Sequence, residues 1–200
     1  MGDPLLVFDL GNVILDVDFD RFARRVVVGT ERSAQEAMAA FSGGPLKEAL
    51  DRGQISPAAF AAQVRAWLGP AAPSEQEVLG AWCDIFALKA DAREALDRCQ
   101  RDHEVWLLSD TDPAHFESVL ARFPLEGFDR VLVSYLTGRL KRDPGGFEPL
   151  AEVVRSGRRV IFFDDLEVNV AAACAAGVDG VLFVDWAQAG AALDARGVVA

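Results

Sequence analysis

An apolar run that ends on one acidic residue, near the start of the chain, most constrains the fold. Leu5–Phe8 is continuously apolar, as is typical of a strand buried on both faces. Asp9 follows it directly, and Gly11 and Asn12 then signal a turn. Open α/β sheets bind ligands at the carboxyl ends of their strands. Asp9 is therefore placed to act as a nucleophile or metal ligand, although an Asp that only caps a turn fits this segment about as well.

Four further strand-like runs alternate with helical patterns in the second half of the chain. The runs are Glu104–Leu108, Arg130–Val133, Arg159–Phe163 and Gly180–Val184. The helical patterns are Pro113–Phe123, Phe147–Arg155 and Val168–Ala176, the last closed by Gly177. This alternation predicts an α/β fold, a Rossmann-like parallel sheet between two layers of helices.

The long interval between the first and second strands predicts an insertion. Residues 18–88 have no convincing strand pattern, but they contain several helix starts. Ser33 with Glu36 and Ser74 with Glu77 fit capping boxes, and Ser56 before Pro57 fits a capped first turn. We therefore predict a catalytic core formed by 1–17 and 89–200, and an all-helical cap formed by 18–88. Because the insertion leaves the sheet just after Asp9, the cap is expected to cover the crevice.

Charge and composition exclude several classes of partner. The formal net charge is −11 and the isoelectric point about 4.6, with no cluster of Lys and Arg. Binding to nucleic acid or to an anionic membrane needs a basic surface, so neither is expected. No apolar run approaches the length of a membrane span. The three cysteines share no metal-ligand spacing, so they are expected to pack as small hydrophobic side chains in a reducing, cytoplasmic compartment.

Polar residues that could bind a ligand or take part in catalysis follow three of the other strands. Ser109 and Asp110 follow the second strand, where a hydroxyl can donate to an anion or simply cap a helix. Lys141 follows the third, where it can reach over the crevice or remain on the surface. Asp164 and Asp165 follow the fourth. Two adjacent carboxylates after so apolar a strand are more typical of a Mg²⁺ site than of a simple turn.

In this order and at these strand ends, the segments resemble the haloacid dehalogenase superfamily over nearly the whole chain. The closest likeness is to small sugar-1-phosphatase-like enzymes with a helical cap. The resemblance implies that Asp9 is a nucleophile that forms an aspartyl-phosphate, assisted by Ser109 and Lys141. It also implies a Mg²⁺ site formed by Asp9, the Gly11 carbonyl, Asp164 and Asp165. The implied contacts to a small phosphorylated substrate are Asn12, Ser109, Asp110 and Lys141.

The chain departs from the family pattern at three positions. Gly11 stands where these phosphatases usually carry a second Asp, the general acid for the leaving group; Asp16 or Asp18 are candidates to replace it. Arg142 stands where the family more often has Pro, with little expected effect. Asp110 replaces the usual Asn, and a carboxylate about 5 Å from a phosphoryl charge costs roughly 3 kcal/mol at an effective dielectric near 20.

Three functions fit the sequence. The first is a Mg²⁺-dependent phosphatase that acts on a small phosphorylated metabolite. The second is a haloacid-type dehalogenase, which the Asp164–Asp165 pair disfavours because that chemistry needs no metal. The third is a non-catalytic binding protein, which Gly11 and Asp110 favour, since a fold does not guarantee a reaction. The sequence leaves the oligomeric state open between monomer and homodimer.

Overall fold

The fold is built on a five-stranded parallel sheet, seen in a computed structural model that describes residues 3–123 and 125–198. The strands are β1 (Leu5–Phe8), β2 (Leu15–Val17), β3 (Phe86–Leu88), β4 (Val105–Ser109), β5 (Arg130–Val133), β6 (Val160–Asp164) and β7 (Asp179–Leu182). The main sheet has the order β5-β4-β1-β6-β7, and all its neighbouring strands are parallel. The predicted α/β class is confirmed.

Strand β1 lies at the centre of the sheet and is covered on both faces. Leu6 and Phe8 belong to one hydrophobic cluster, whereas Leu5 and Val7 belong to the other, because alternate side chains of a strand point to opposite faces. All four side chains are fully buried. This double burial is the physical reason for the uninterrupted apolar run in the sequence.

Two strands end one residue later than the sequence predicts. Ser109 closes β4 and Asp164 closes β6, each still within its backbone ladder, opposite Val133 and Leu182 respectively. Strand β7 ends earlier than predicted, at Leu182, and Val184 beyond it is exposed. Polar residues can therefore finish a strand here, because their side chains meet the crevice while their backbone groups remain paired.

Eleven helices surround the sheets in the described part of the chain. They are α1 (Phe19–Val26), α2 (Ala34–Phe41), α3 (Gly44–Asp51), α4 (Pro57–Leu68), α5 (Glu75–Cys83), α6 (Ala92–Asp102), α7 (Pro113–Arg122), α8 (Ser134–Thr137), α9 (Glu148–Arg155), α10 (Glu167–Ala175) and α11 (Trp186–Asp194). The predicted capping boxes at Ser33 and Ser74 are both formed. Among the described helices, none is both long and apolar enough to cross a membrane.

The expectation that residues 18–88 contain no strand is wrong at the end of the segment. Strand β3 pairs antiparallel with β2, with Leu88 opposite Leu15 and Phe86 opposite Val17. These two segments are the outgoing and returning connections between the sheet and helices α1–α5. Each strand has only three residues, which is too short to show an alternating pattern in the sequence.

An aromatic cluster holds the inserted helices together and joins them to the core. Trp82 of α5 is fully buried between Phe22 and Phe60, at centroid distances of 4.9 and 4.5 Å. Its indole Nε1–H donates to the buried carboxylate of Asp112, at the start of α7, at 3.0 Å. The inserted helices and one face of the sheet therefore share a continuous hydrophobic cluster.

The three cysteines have different environments. Cys99 is buried and Cys83 is partly buried, and burial raises the pKa of both thiols to about 11. Cys174 is exposed, so the expectation that all three pack inside is wrong for this residue. Its side of α10 faces solvent, and the alanine-rich sequence around it does not reveal which face is buried.

Candidate active site

Asp9 stands at the carboxyl end of β1, as the sequence predicts. Its backbone N–H donates to the carbonyl of Phe163 at 2.9 Å, which extends the ladder between β1 and β6 by one step. The residue is buried, with 7% of its surface exposed. Its Oδ1 lies 2.8 Å from Nζ of Lys141. The Asp9 carboxylate thus contacts a cationic partner at the carboxyl end of the central strand.

Lys141 lies between two carboxylates. Its Nζ is 2.5 Å from Oδ2 of Asp164 in addition to its contact with Asp9, and the side chain is almost completely buried. Burial lowers the pKa of Lys141, but the charges of Asp9 and Asp164 outweigh this and raise it above the ordinary value. The ammonium group therefore remains charged at neutral pH and can face an anionic oxygen without losing its proton.

Asp164 is held rigidly at the end of β6. It is fully buried, and it accepts hydrogen bonds from the backbone N–H of Leu166 at 2.9 Å and from Nδ2 of Asn169 at 3.0 Å. Asn169 lies on the first turn of α10 and is also buried. Through this hydrogen bond Asn169 orients the Asp164 carboxylate.

Asp165 and Asn12 meet at the mouth of the crevice. The Asn12 Nδ2 donates to Oδ2 of Asp165 at 3.0 Å. Asn12 has a positive φ of 54°, a conformation that Asn tolerates better than most residues, and its N–H donates to the carbonyl of Leu15. The turn after Asp9 is therefore tied to the loop after β6.

Asp9, Asp164 and Asp165 form a group that can hold a cation. One ligand atom from each lies within 4.8 Å of the others. Burial raises the pKa of Asp9, and it also raises that of Asp165. Together with the ammonium of Lys141, which contacts Asp9 and Asp164, the three ionised carboxylates have a formal charge of −2. A divalent cation with a preference for oxygen ligands fits both this charge and this donor set.

Ser109 and Asp110 lie at the end of β4, where Asp110 contacts the backbone of Lys141. Ser109 is buried at the end of β4. The Asp110 carboxylate accepts from the backbone N–H of Lys141, at 3.0 and 3.2 Å to its two oxygens. Burial raises the pKa of Asp110, and the ammonium of Lys141 opposes this rise. Asp110 therefore anchors the loop that carries Lys141, a role that the sequence does not reveal.

A cavity of about 350 Å³ opens above these residues. Its floor includes Asp9, Gly11, Asn12, Ser109, Asp110, Lys141 and Asp165, so all the predicted site residues except the buried Asp164 line it. Its opposite wall comes from the inserted helices and the loop before α3, with Ser42, Lys47, Glu48 and Asp51. Phe19 and Phe86 add an apolar side. Residues of the insertion thus line the same cavity as the residues at the carboxyl ends of the strands.

The two acids considered as replacements at Gly11 are engaged elsewhere. Asp16 pairs with Lys89 at 2.6 Å, beside the two-stranded sheet. Asp18 caps helix α1 by accepting from the N–H of Arg21. Neither lines the cavity. A Cβ on Gly11 would lie 3.3 Å from Cγ2 of Val17, so there is little space for a side chain at this position.

Sequence reasoning missed a buried polar pair beside the cavity. His115 lines the cavity, and its Nδ1 lies 2.9 Å from Oδ2 of Asp112. Its Nε2 lies 2.9 Å from the carbonyl of Trp82, and its ring stacks on the indole at a centroid distance of 4.4 Å. The available sequence signal is Asp112 as an N-cap three residues before His115, but this signal does not indicate the partner on α5.

Two ion pairs join helix α3 and its C-cap residue, Arg52, to the loop around Lys141. Arg142 pairs with Glu48, and Arg52 makes a two-pronged contact with Asp143, whose Oδ1 is 2.9 Å from Nη2. The Arg52 guanidinium holds the pKa of Asp143 down, at about 2. Arg142, which replaces a more usual Pro, therefore contributes a contact across the cavity mouth, whereas the sequence predicts little effect of this replacement.

Comparison with known proteins agrees with the fold. The family model of the haloacid dehalogenase-like hydrolases matches residues 4–177. A predicted hydrolase of this type from Porphyromonas gingivalis is similar at 25% identity and a TM-score of 0.75, over 95% of this chain and 97% of that one.

Two structures with lower sequence identity show the fold alone. A family enzyme from Bacteroides thetaiotaomicron, solved with magnesium and inorganic phosphate, has 23% identity and a TM-score of 0.79, over 94% of this chain and 99% of that one. The L-2-haloacid dehalogenase of Xanthobacter autotrophicus has 17% identity and a TM-score of 0.64, over 98% and 84%. The match over most of the chain shows that this protein belongs to the haloacid dehalogenase-like hydrolases.

Proposed function

We propose that the protein is a Mg²⁺-dependent phosphatase that hydrolyses a small phosphorylated metabolite, such as a sugar phosphate, through an aspartyl-phosphate on Asp9. The observation that carries this proposal is the arrangement at the cavity floor. A single buried carboxylate on the central strand lies 2.8 Å from a charged lysine and within 4.8 Å of two further carboxylates. The Bacteroides thetaiotaomicron relative, which was solved with magnesium and inorganic phosphate, is consistent with it.

The proposed reaction has two steps at phosphorus. A carboxylate oxygen of Asp9 attacks the phosphorus, a bond forms between them, and the bond to the leaving oxygen breaks. Water then attacks the same phosphorus, the bond to Asp9 breaks, and inorganic phosphate leaves with the carboxylate restored. Such covalent catalysis replaces one difficult step by two easier ones.

Fixed donors in the cavity stabilise the charge that develops on the phosphoryl oxygens. Lys141 supplies a buried positive charge, and the hydroxyl of Ser109 supplies a neutral donor at the end of β4. Asp9, Asp164 and Asp165 would hold Mg²⁺, with the Gly11 carbonyl as a further predicted ligand. When bound, the ion supplies positive charge for the transferring phosphoryl group and keeps Asp9 ionised against its burial.

The leaving group receives no proton from the usual position, because Gly11 has no side chain. The cavity suits leaving oxygens that depart with little protonation, such as the anomeric oxygen of a sugar. We also propose residues 18–88 as the cap, with β2 and β3 as the connections through which it is attached to the core.

The test is hydrolysis of p-nitrophenyl phosphate with Mg²⁺ and with EDTA, for the natural protein and for Asp9→Asn. We expect Mg²⁺-dependent release of phosphate that Asp9→Asn abolishes. Asp16→Asn, an exposed carboxylate outside the cavity, is the matched control and should retain activity. Release of halide from 2-haloacids in EDTA, without phosphatase activity, would instead identify a dehalogenase. Full activity of Asp9→Asn would contradict the covalent mechanism.

A further inference from the structure

The cap wall of the cavity carries a buried ion pair that the proposed phosphoryl chemistry does not use. Lys47 and Asp51 lie one turn apart on α3, and Nζ of Lys47 is 2.6 Å from Oδ2 of Asp51. Both residues line the cavity that also contains Asp9 and Lys141, and they do so from the opposite wall. A substrate whose phosphate lies on the floor can therefore extend its organic part toward this pair.

The environment of the pair differs from that of an ordinary helix surface pair. The side chains of Lys47 and Asp51 are only 14% and 9% exposed, whereas Arg98 and Glu94, a pair with the same spacing on α6, are 42% and 78% exposed. Removing two charges from water costs more than their attraction returns unless further hydrogen bonds are made. A buried pair is thus weak evidence for stability, and a role at the cavity explains it better.

The hydrogen bonding of the pair is incomplete. The ammonium group of Lys47 has three donors, and Asp51 is its one hydrogen-bond acceptor among the described residues. The other carboxylate oxygen of Asp51, Oδ1, is buried and has no hydrogen-bond partner in the described part of the chain. Asp51 is fixed from behind, since its backbone carbonyl accepts from the hydroxyl of buried Ser134 at 2.7 Å. The anchor is therefore rigid, and the donors of Lys47 remain available.

We propose that Lys47 is a specificity-determining residue that donates hydrogen bonds to hydroxyl oxygens of the leaving group, and that Asp51 positions it. This inference rests on the proposed phosphatase function. It assigns to one lysine the discrimination between a hydroxylated organic group and an aliphatic one of equal length.

Charge balance favours hydroxyl groups over a second anion. The charge of Lys47 is matched by Asp51, and that of Glu48 on the same helix by Arg142 of the Lys141 loop, so these four residues add no net charge to this part of the cavity. A second phosphate or a carboxylate would gain from no unpaired cation there and would be repelled by the acids. Hydroxyl groups carry no charge and accept hydrogen bonds readily.

The apolar side of the cavity suits the carbon skeleton of such a group. The ring of Phe19 lies 5.7 Å from Nζ of Lys47, and Phe86 lines the same wall. A compound with hydroxyl groups on one side and C–H groups on the other can contact Lys47 and these rings together. The volume of about 350 Å³ is in the range of small-molecule sites.

The test compares binding of D-sorbitol 6-phosphate and hexyl phosphate, which share six carbons and a phosphate but differ in hydroxyl groups. Titration calorimetry with Mg²⁺ uses the Asp9→Asn background, so that neither compound is consumed. The measured quantity is the dissociation constant of hexyl phosphate divided by that of D-sorbitol 6-phosphate, a ratio that falls when the preference for the hydroxylated compound is lost. Because a hydrogen bond from a charged donor is lost, Lys47→Met should lower the relative affinity for the sorbitol compound by roughly tenfold or more.

Three further variants make the result specific. Lys47→Arg keeps a charged donor and should retain most of the discrimination. Lys47→Gln, which has a similar shape and keeps polarity, is the second variant if the Met protein does not fold, and it should lose roughly threefold or more. Arg98→Met removes a cation from the exposed pair on α6 and should leave the ratio unchanged. Binding of inorganic phosphate should be the same in all of them, within about twofold.

The outcome separates this inference from the proposed function. If Lys47→Met and Lys47→Gln leave the ratio of dissociation constants unchanged, the inference is overturned, even if the protein is an active phosphatase. If the ratio falls as expected but the natural protein hydrolyses no phosphate ester, Lys47 still selects hydroxylated ligands in this cavity, and it is the proposed reaction that fails.

Discussion

Replacing Gly146 by alanine should displace the loop that carries Lys141. Gly146 lies in the turn after this loop, and its N–H donates to the carbonyl of Asp143. A Cβ at this position would lie 2.3 Å from the carbonyl oxygen of Leu140 and 2.5 Å from that of Lys141. Both obstacles are backbone atoms, so no flexible side chain can move aside.

The size of the effect follows from these distances. Real Cβ atoms essentially never approach closer than 3.0 Å, so the shorter contact must lengthen by about 0.7 Å. The backbone of Lys141 is part of the obstacle, so its ammonium group should shift by a comparable amount relative to Asp9. Since a misplacement of about 1 Å can reduce catalysis by about a hundredfold, we expect kcat to fall by roughly ten- to hundredfold. Overpacking should lower the free energy of unfolding by about 1–3 kcal/mol.

The assay combines Mg²⁺-dependent hydrolysis of p-nitrophenyl phosphate with urea unfolding. Gly80→Ala is the matched control, because a Cβ on Gly80 in helix α5 meets nothing within 4 Å. Alanine in a helix interior should raise the free energy of unfolding there by up to about 1 kcal/mol and leave kcat unchanged. Unchanged kcat and stability of Gly146→Ala would contradict this prediction, because the loop would then accommodate the methyl group without moving Lys141.

Four further results are expected. Asp9→Asn should abolish Mg²⁺-dependent phosphatase activity, and residual turnover in EDTA by the natural protein would argue against the metal. Calorimetry should detect Mg²⁺ binding that Asp165→Asn weakens at least roughly tenfold, because one of three carboxylate ligands loses its charge; unchanged affinity would exclude Asp165 as a ligand. Asp110→Asn should increase kcat/KM for phosphate esters and tighten inhibition by inorganic phosphate, because a negative charge is removed while one acceptor remains for the N–H of Lys141; weaker inhibition would mean that the charge itself is needed. Because the Arg52 contact lowers the pKa of Asp143 to about 2 in the folded protein, this pair should stabilise the protein above about pH 4 and lose that contribution as the pH falls toward 2. The contribution should be about 1 kcal/mol at most, since the pair is partly exposed, so Arg52→Met should destabilise at pH 6 and much less near pH 3 in urea unfolding; an equal effect at both values would contradict the assignment.

The sequence predicts the sheet and the acids at its edge because both are encoded locally. Arg130–Val133, an edge strand whose first two residues are exposed, has the bounds that the sequence predicts. Leu5–Phe8 also has the predicted bounds, and it is apolar throughout because it is buried on both faces. Asp9 and Asp164 each follow such a run. Because parallel strands present their carboxyl ends at one edge of the sheet, the residues that directly follow two neighbouring strands can be expected to meet there. The capping boxes of α2 and α5 are local in the same way.

Contacts between distant segments are decided only by the tertiary structure. The pairing of β2 with β3 joins residues about seventy positions apart, and no three-residue segment shows a periodic pattern. Asp110 looks like a repulsive neighbour of the phosphate, yet in the fold it accepts from the backbone of Lys141.

The role of Lys47 depends on the fold in the same way. Its spacing from Asp51 indicates only a helical ion pair, and many such pairs lie on exposed surfaces. The packing of α3 against the core places this pair on the wall of a cavity with Asp9 on its floor. Sequence periodicity specifies which face of an element is apolar, but the partner of a polar side chain is fixed only when the elements are packed together.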